Sequence, residues 1–177
     1  MKRNLILFVV SLTLGAASLL AQTTPYSSEA RATYTRVKNN LLAAAEKVPE
    51  ESYGFKATPD VRPFGQLIAH VADAQLAICS TVKGEQKKGD AAAKTTKADL
   101  IAALKASFDY CDGAYDSVND ATGQQMVPLF GRQFSKLGVL FLNVSHDNEM
   151  YGTMSVYMRL KGMVPPSSQR PPVADKQ

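Results

Sequence analysis

Histidine is the scarcest chemically useful residue in this chain, with His70 and His146 the only two among 177 residues. Cysteine is equally scarce, limited to Cys79 and Cys111. No Gly-rich phosphate loop follows a strand, and no internal repeat is visible. Serines are plentiful, but none stands in a nucleophile-elbow context, which argues against Ser-His-Asp hydrolysis. Charge of one sign is lacking too. The formal net charge of +4 includes Lys2 and Arg3, and without them 20 − 2 = 18 basic residues face 16 acidic ones. With no aromatic-basic stripe, nothing points to nucleic acid as a partner.

The N-terminus reads as a secretory leader. Lys2 and Arg3 form the positive region, Leu5 to Leu20 is an uncharged apolar run, and Ala21 precedes a cleavage point at Gln22. An uncleaved anchor is the alternative, although the run is short for a spanning helix. No cysteine sits at the cleavage point, which argues against a lipoprotein. Residues 1–21 are therefore expected to be a signal peptide. The mature chain of 177 − 21 = 156 residues suits one domain with one core. Its expected home is the periplasm or the cell exterior, with no membrane attachment after cleavage.

Four amphipathic helices follow. Ser27 or Ser28 can cap the first, whose apolar positions Tyr34, Val37, Leu41, Leu42, Ala45 and Val48 recur at helical spacing before Pro49 closes it. Pro63 opens the second, with a stripe of Phe64, Leu67, Ile68, Val71, Ile78 and Val82. Thr96 to Asp99 resembles a capping box for the third, whose inner face is Leu100, Leu104, Phe108, Cys111 and Tyr115. The fourth runs from about Ser135 to Lys161 and stops at Gly162 and Pro165-Pro166. No convincing strand is seen, and residues 167–177 read as a disordered tail.

The expected fold is all-α, a four-helix bundle over residues 22–166. Cys79 and Cys111 lie at similar depths, about 16 and 14 residues into the second and third helices, so they can meet only if those helices run parallel. A Cys79–Cys111 disulfide between parallel neighbours is the favoured reading in an exported protein. Two buried free thiols are the other.

The fourth helix carries the functional question. Val139, Leu142, His146, Met150, Thr153, Tyr157 and Leu160 fall on one stripe about 60° wide. An imidazole inside an apolar seam needs a partner. The candidates are a metal ion, a side chain such as Asn143 or Tyr157, a buried water, or an organic ligand.

Phe64-Gly65-Gln66-Leu67-Ile68-Ala69-His70-Val71-Ala72-Asp73, together with His146-Asp147-Asn148-Glu149-Met150-Tyr151-Gly152, resembles the DinB superfamily of DinB/YfiT-like metalloenzyme bundles, over about residues 26–166. The resemblance implies a bundle of up-down-down-up order with the second and third helices parallel. In metal-binding members, one His of the second helix and a His-x-x-x-His pair of the fourth hold a divalent ion. Known activities include transfer and isomerisation with low-molecular-weight thiols. His70 and His146 match the first two ligands, and Met150 stands where the third His is expected.

Two readings follow. One is an exported metal-dependent hydrolase or thiol transferase, in which His70 and His146 hold one divalent transition ion (Zn, Ni or Fe), with Glu149, Asp73 or Met150 as third ligand. A Met150 thioether would instead favour a soft ion such as Cu(I). The other is a catalytically silent periplasmic bundle that binds a small molecule or a protein. In that case His70 could simply pair with Asp73, and Met150 would fill the ligand space. Exposed apolar helix faces would also allow a homodimer.

Overall fold

Helix termini leave amides and carbonyls without partners, and this chain supplies a partner at each end that matters. The computed structural model describes residues 25–169. The expected leader (1–21) and residues 170–177 of the expected tail lie outside the described residues. Four helices carry the fold: α1 (Pro25–Lys47), α2 (Phe64–Val82), α3 (Lys97–Asp116) and α4 (Lys136–Leu160). Thr96 accepts a hydrogen bond from the Asp99 N–H at the start of α3, and Ser135 accepts from the Gly138 N–H at the start of α4. Each such cap contributes roughly 1 kcal/mol.

The other two starts use tertiary partners. At α2 the Phe64 and Gly65 amides donate to the Phe55 and Tyr53 carbonyls, so the preceding connector is the cap. The expected Ser27 or Ser28 cap of α1 is not formed, since α1 already begins at Pro25. Asp120, from the connector after α3, accepts from the Tyr26 and Ser27 amides instead. At the far end of α4, Gly162 adopts φ +72°, and Met163 N–H bonds to Met158 O at 2.8 Å. This glycine-closed end matches its sequence signature.

In the packed bundle α2 lies against α3 and α4, while α1 lies against α4 and α3. The core holds Tyr34, Leu41, Phe64, Ile68, Leu104, Phe108, Leu140, Met154 and Met158. Tyr34 stacks on Tyr115 with ring centroids 3.9 Å apart, and Phe55 meets Tyr157 edge-on. A disulfide joins Cys79 to Cys111, with the two Cα atoms 5.3 Å apart. Gly65, near the start of α2, sits against Leu100 near the start of α3. Among the described residues no helix is long and apolar enough to cross a membrane.

The expectation of no strand fails as well. The polar connector after α3 contains a two-stranded antiparallel hairpin, β1 (Met126–Leu129) and β2 (Arg132–Ser135). Its two-residue turn places Phe130 at φ 50° and Gly131 at φ 73°. Positive φ at both central residues is the geometry that matches strand twist, but Asn-Gly is its usual signature and Phe-Gly is not. Pro128 hides the strand further, although an outer strand tolerates it. Leu129 is buried, and Val127 and Phe134, which face each other in the register, pack on the core.

Ser167 and Ser168, expected to open a disordered tail, belong to a short turn held on α4. Tyr151 Oη donates to Ser167 Oγ at 2.9 Å and accepts from the Ser167 N–H at 2.8 Å, while Arg159 donates to Ser168 Oγ.

Candidate functional site

The inward face of α4 follows the seam that hydropathy selects only at Val139 and Tyr157. Its buried residues include Leu140, Asn143, Asp147, Tyr151, Met154 and Met158, whereas Leu160 is exposed, and Leu142, His146, Met150 and Thr153 are half-buried. The true core stripe therefore lies to one side, and His146 stands on its margin facing α2. Two polar side chains, Asn143 and Asp147, occupy the centre that the hydropathy pattern left to hydrocarbon.

Those residues form a polar layer across the bundle. Asn143 Nδ2 lies 3.4 Å from Gln75 Oε1 of α2, 3.4 Å from Tyr115 Oη of α3 and 3.2 Å from Asp147 Oδ2. Tyr115 donates its hydroxyl proton to Leu140 O. Gln75, Asn143 and Asp147 are all inaccessible to solvent. Burial pushes the Asp147 carboxyl up to about 6, against the opposing pull of His146 and Asn143. Gln75 Nε2, Asn143 Oδ1, Asp147 Oδ1 and His146 Nδ1 have no hydrogen-bond partner.

The two histidines meet. His70 Nε2 and His146 Nε2 lie 3.1 Å apart, with the rings tilted at 69°. Of two neutral imidazoles at this distance, one nitrogen donates and the other accepts. Burial, then the neighbouring His146 and Arg62, lower the pKa of His70, which favours its neutral form. On the other edge of His146, Nδ1 faces Asp147 Oδ1 at 3.6 Å. The line of groups is thus carboxylate, imidazole, imidazole, running from the core outward.

The other predicted site residues are placed differently. Asp73 does not pair with His70: its two oxygens accept the amides of Ala91 and Ala92, closing the loop after α2. Glu149 is exposed, and Met150 is half-buried one turn beyond His146. Asn143 and Tyr157, expected as partners of His146, bond elsewhere, Tyr157 donating to Arg62 O. Tyr110 and Tyr151 keep their hydroxyls at the rim, bonded to Glu85 and Ser167, but Tyr115 is buried.

The sequence matches the DinB superfamily over residues 33–154. The chain belongs to the DinB superfamily. Two solved DinB-like proteins have the same fold. One, from Bacillus cereus ATCC 10987, is 20% identical, with a TM-score of 0.68 over 77% of this chain and 93% of its own. The other, from Bacillus subtilis, is 20% identical, with a TM-score of 0.65 over 81% of this chain and 99% of its own. No curated protein matches the chain.

The donors of this DinB bundle can be tested against the divalent ion that the family resemblance implies. An ion bonded to both Nε2 atoms at about 2.0–2.1 Å would see them roughly 100° apart, a normal angle between neighbouring ligands. The spacing alone is therefore compatible with two ligands. The third is missing from the hard-donor set, since among the described residues no three His, Cys, Asp or Glu come together to hold an ion. The residues present do not fit a three-imidazole centre or a two-imidazole, one-carboxylate centre. Asp147, which sequence reading passed over, is the carboxylate nearest the pair, but it lies behind His146 at Nδ1 and not beside Nε2. Its only sequence signal was a place next to His146, on a face that hydropathy assigned to solvent.

Proposed function

We propose that this protein is an exported DinB-type bundle without a resident hydrolytic metal, which binds a small ligand at the exposed edge of the His70–His146 pair. The observation that carries this reading is the 3.1 Å approach of the two Nε2 atoms, with Asp73 engaged by loop amides and Met150 in the position of the third imidazole. The helices take the up-down-down-up order, with α2 and α3 parallel. The Gly65–Leu100 contact near one end and the Cys79–Cys111 bond near the other support that order. The bundle works in the periplasm or outside the cell, a reading that rests on the leader and on the disulfide. Its partner is a small molecule, with neither nucleic acid nor membrane involved, and a protein partner or second copy is the alternative.

The test is elemental analysis of the full chain purified without chelator, beside Met150→His. Below about a tenth of an equivalent of zinc, nickel or iron is expected in the wild type, with zinc retained by the variant. One equivalent of zinc in the wild type would overturn the reading. It would restore the competing one, a metal-dependent hydrolase or thiol transferase, which the 3.1 Å spacing of the two nitrogens favours.

A further inference from the structure

Among the described residues four buried side-chain atoms lack a hydrogen-bond partner, and all four belong to one place in the fold: Gln75 Nε2, Asn143 Oδ1, Asp147 Oδ1 and His146 Nδ1. We infer that Gln75, Asn143, His146 and Asp147 hold one buried water molecule between α2 and α4, and that this water sets the direction of the hydrogen bond between the two histidines. Gln75, Asn143 and Asp147 are inaccessible to solvent, so bulk water cannot serve them. The four groups are contiguous. Asn143 Nδ2 lies 3.4 Å from Gln75 Oε1 and 3.2 Å from Asp147 Oδ2, and Asp147 Oδ1 lies 3.6 Å from His146 Nδ1. Both amide orientations are fixed by their neighbours. Asn143 Nδ2 faces three acceptors, Tyr115 Oη among them because that hydroxyl gives its proton to Leu140 O. Asn143 Oδ1 is therefore left as an acceptor and Gln75 Nε2 as a donor.

Donors and acceptors identify the occupant. Asp147 Oδ1 accepts, and the same carboxylate beside His146 Nδ1 favours the tautomer with its proton on that nitrogen. The set is then two donors and two acceptors, which is what one water satisfies by accepting twice and donating twice. Ions fail on the same count. A monovalent cation, ammonium included, can accept nothing from Gln75 Nε2. A small anion would stand against the Asp147 carboxylate, which has no Lys or Arg partner among the described ion pairs. An apolar group filling the space would leave all four atoms unpaired in a buried layer. With its Nδ1–H engaged by the water, His146 keeps its lone pair at Nε2, and His70 Nε2 donates across the 3.1 Å gap. The water lies on the core side of His146 and is separate from the small ligand proposed for the exposed edge of the pair.

The test is nitrogen-edited NMR of the full chain, read for contacts between water and the side chains of Gln75 and His146. Rotating-frame spectra separate true proximity from proton exchange. The expected result is one long-lived water close to both the Gln75 amide and the His146 Nδ1 proton. The ring-nitrogen shifts should show an Nδ1–H tautomer at His146 and an Nε2–H tautomer at His70. Gln75→Met keeps the volume and removes the donor, so it should shorten the residence of the water roughly three- to tenfold, the weight of one hydrogen bond. Circular dichroism shows whether that variant is folded, and the wild-type spectrum decides the question if it is not. No water contact at Gln75, or an Nε2–H tautomer at His146, overturns the assignment. So does an unchanged residence in folded Gln75→Met, or a labelled ammonium ion taking the place of the water. None of these outcomes alters the metal content of the chain, so the ligand-binding reading is tested separately.

Discussion

Substituting Asp147 by Asn tests whether the buried carboxylate is a cost that the fold carries. In the folded protein its pKa is pushed from 3.8 to about 6, with burial as the main cause. The unfolded chain releases this proton near pH 3.8, and the folded one holds it to about pH 6. Between those values the native state binds more protons, so the contribution of this group to stability falls as pH rises. The rise from 3.8 to about 6 corresponds to roughly 3 kcal/mol lost by pH 7. Asn keeps the shape, can accept from Asn143 through its oxygen, and carries no charge. Urea unfolding of wild type and Asp147→Asn from pH 3.5 to 7.5, with the disulfide intact, isolates the effect as a difference. The variant should gain relative to the wild type through the interval from pH 4 to 6, ending about 3 kcal/mol ahead, or roughly 6–12 °C in Tm. A difference that stays flat across that interval would show that the carboxyl titrates in the fold as it does in the unfolded chain, and the argument from burial would fail.

Reducing the Cys79–Cys111 bond, which spans a sequence separation of 32, should cost about 3–4 kcal/mol by loop entropy. Calorimetry with and without reductant checks this, and a loss under about 1 kcal/mol would refute it. Asp73→Ala should free the Ala91 and Ala92 amides, read as hydrogen exchange at least tenfold faster at those two positions. Gly89→Ala should loosen the same loop, because a Cβ there would collide with Asp73. Thr96→Ala should cost about 1 kcal/mol through loss of the α3 cap, measured by urea midpoint.

Much of the fold is legible because it rests on local chemistry. Thr96, Ser135 and Gly162 end helices for reasons visible within a few residues. The cysteine depths supported the pairing, which needs only helix rise to argue. What could not be read is whatever depends on distant partners. Asp120 caps α1 from another connector, and Phe130-Gly131 turns a hairpin without the usual residues. The site shows the same division. His70 was singled out by the family resemblance and His146 by its place in the helical stripe, and the two rings do meet. The surrounding seam was misjudged because Asn143 and Asp147 look like solvent-facing residues until Gln75 and Tyr115 are seen across from them. Hydropathy penalises a polar group in the core and cannot credit the neighbour that satisfies it.

The Gln75–Asn143–Tyr115 layer also bears on how the rods find their alignment. Hydrocarbon faces alone would let α4 slide by a turn, about 5.4 Å, at modest cost. Such a slip here would leave an amide, a phenol and a carboxylate each facing aliphatic carbon, at roughly 1–3 kcal/mol apiece. The polar rung therefore acts as a vernier on α4: only one setting lets its members meet, and that setting also brings the two imidazoles opposite each other.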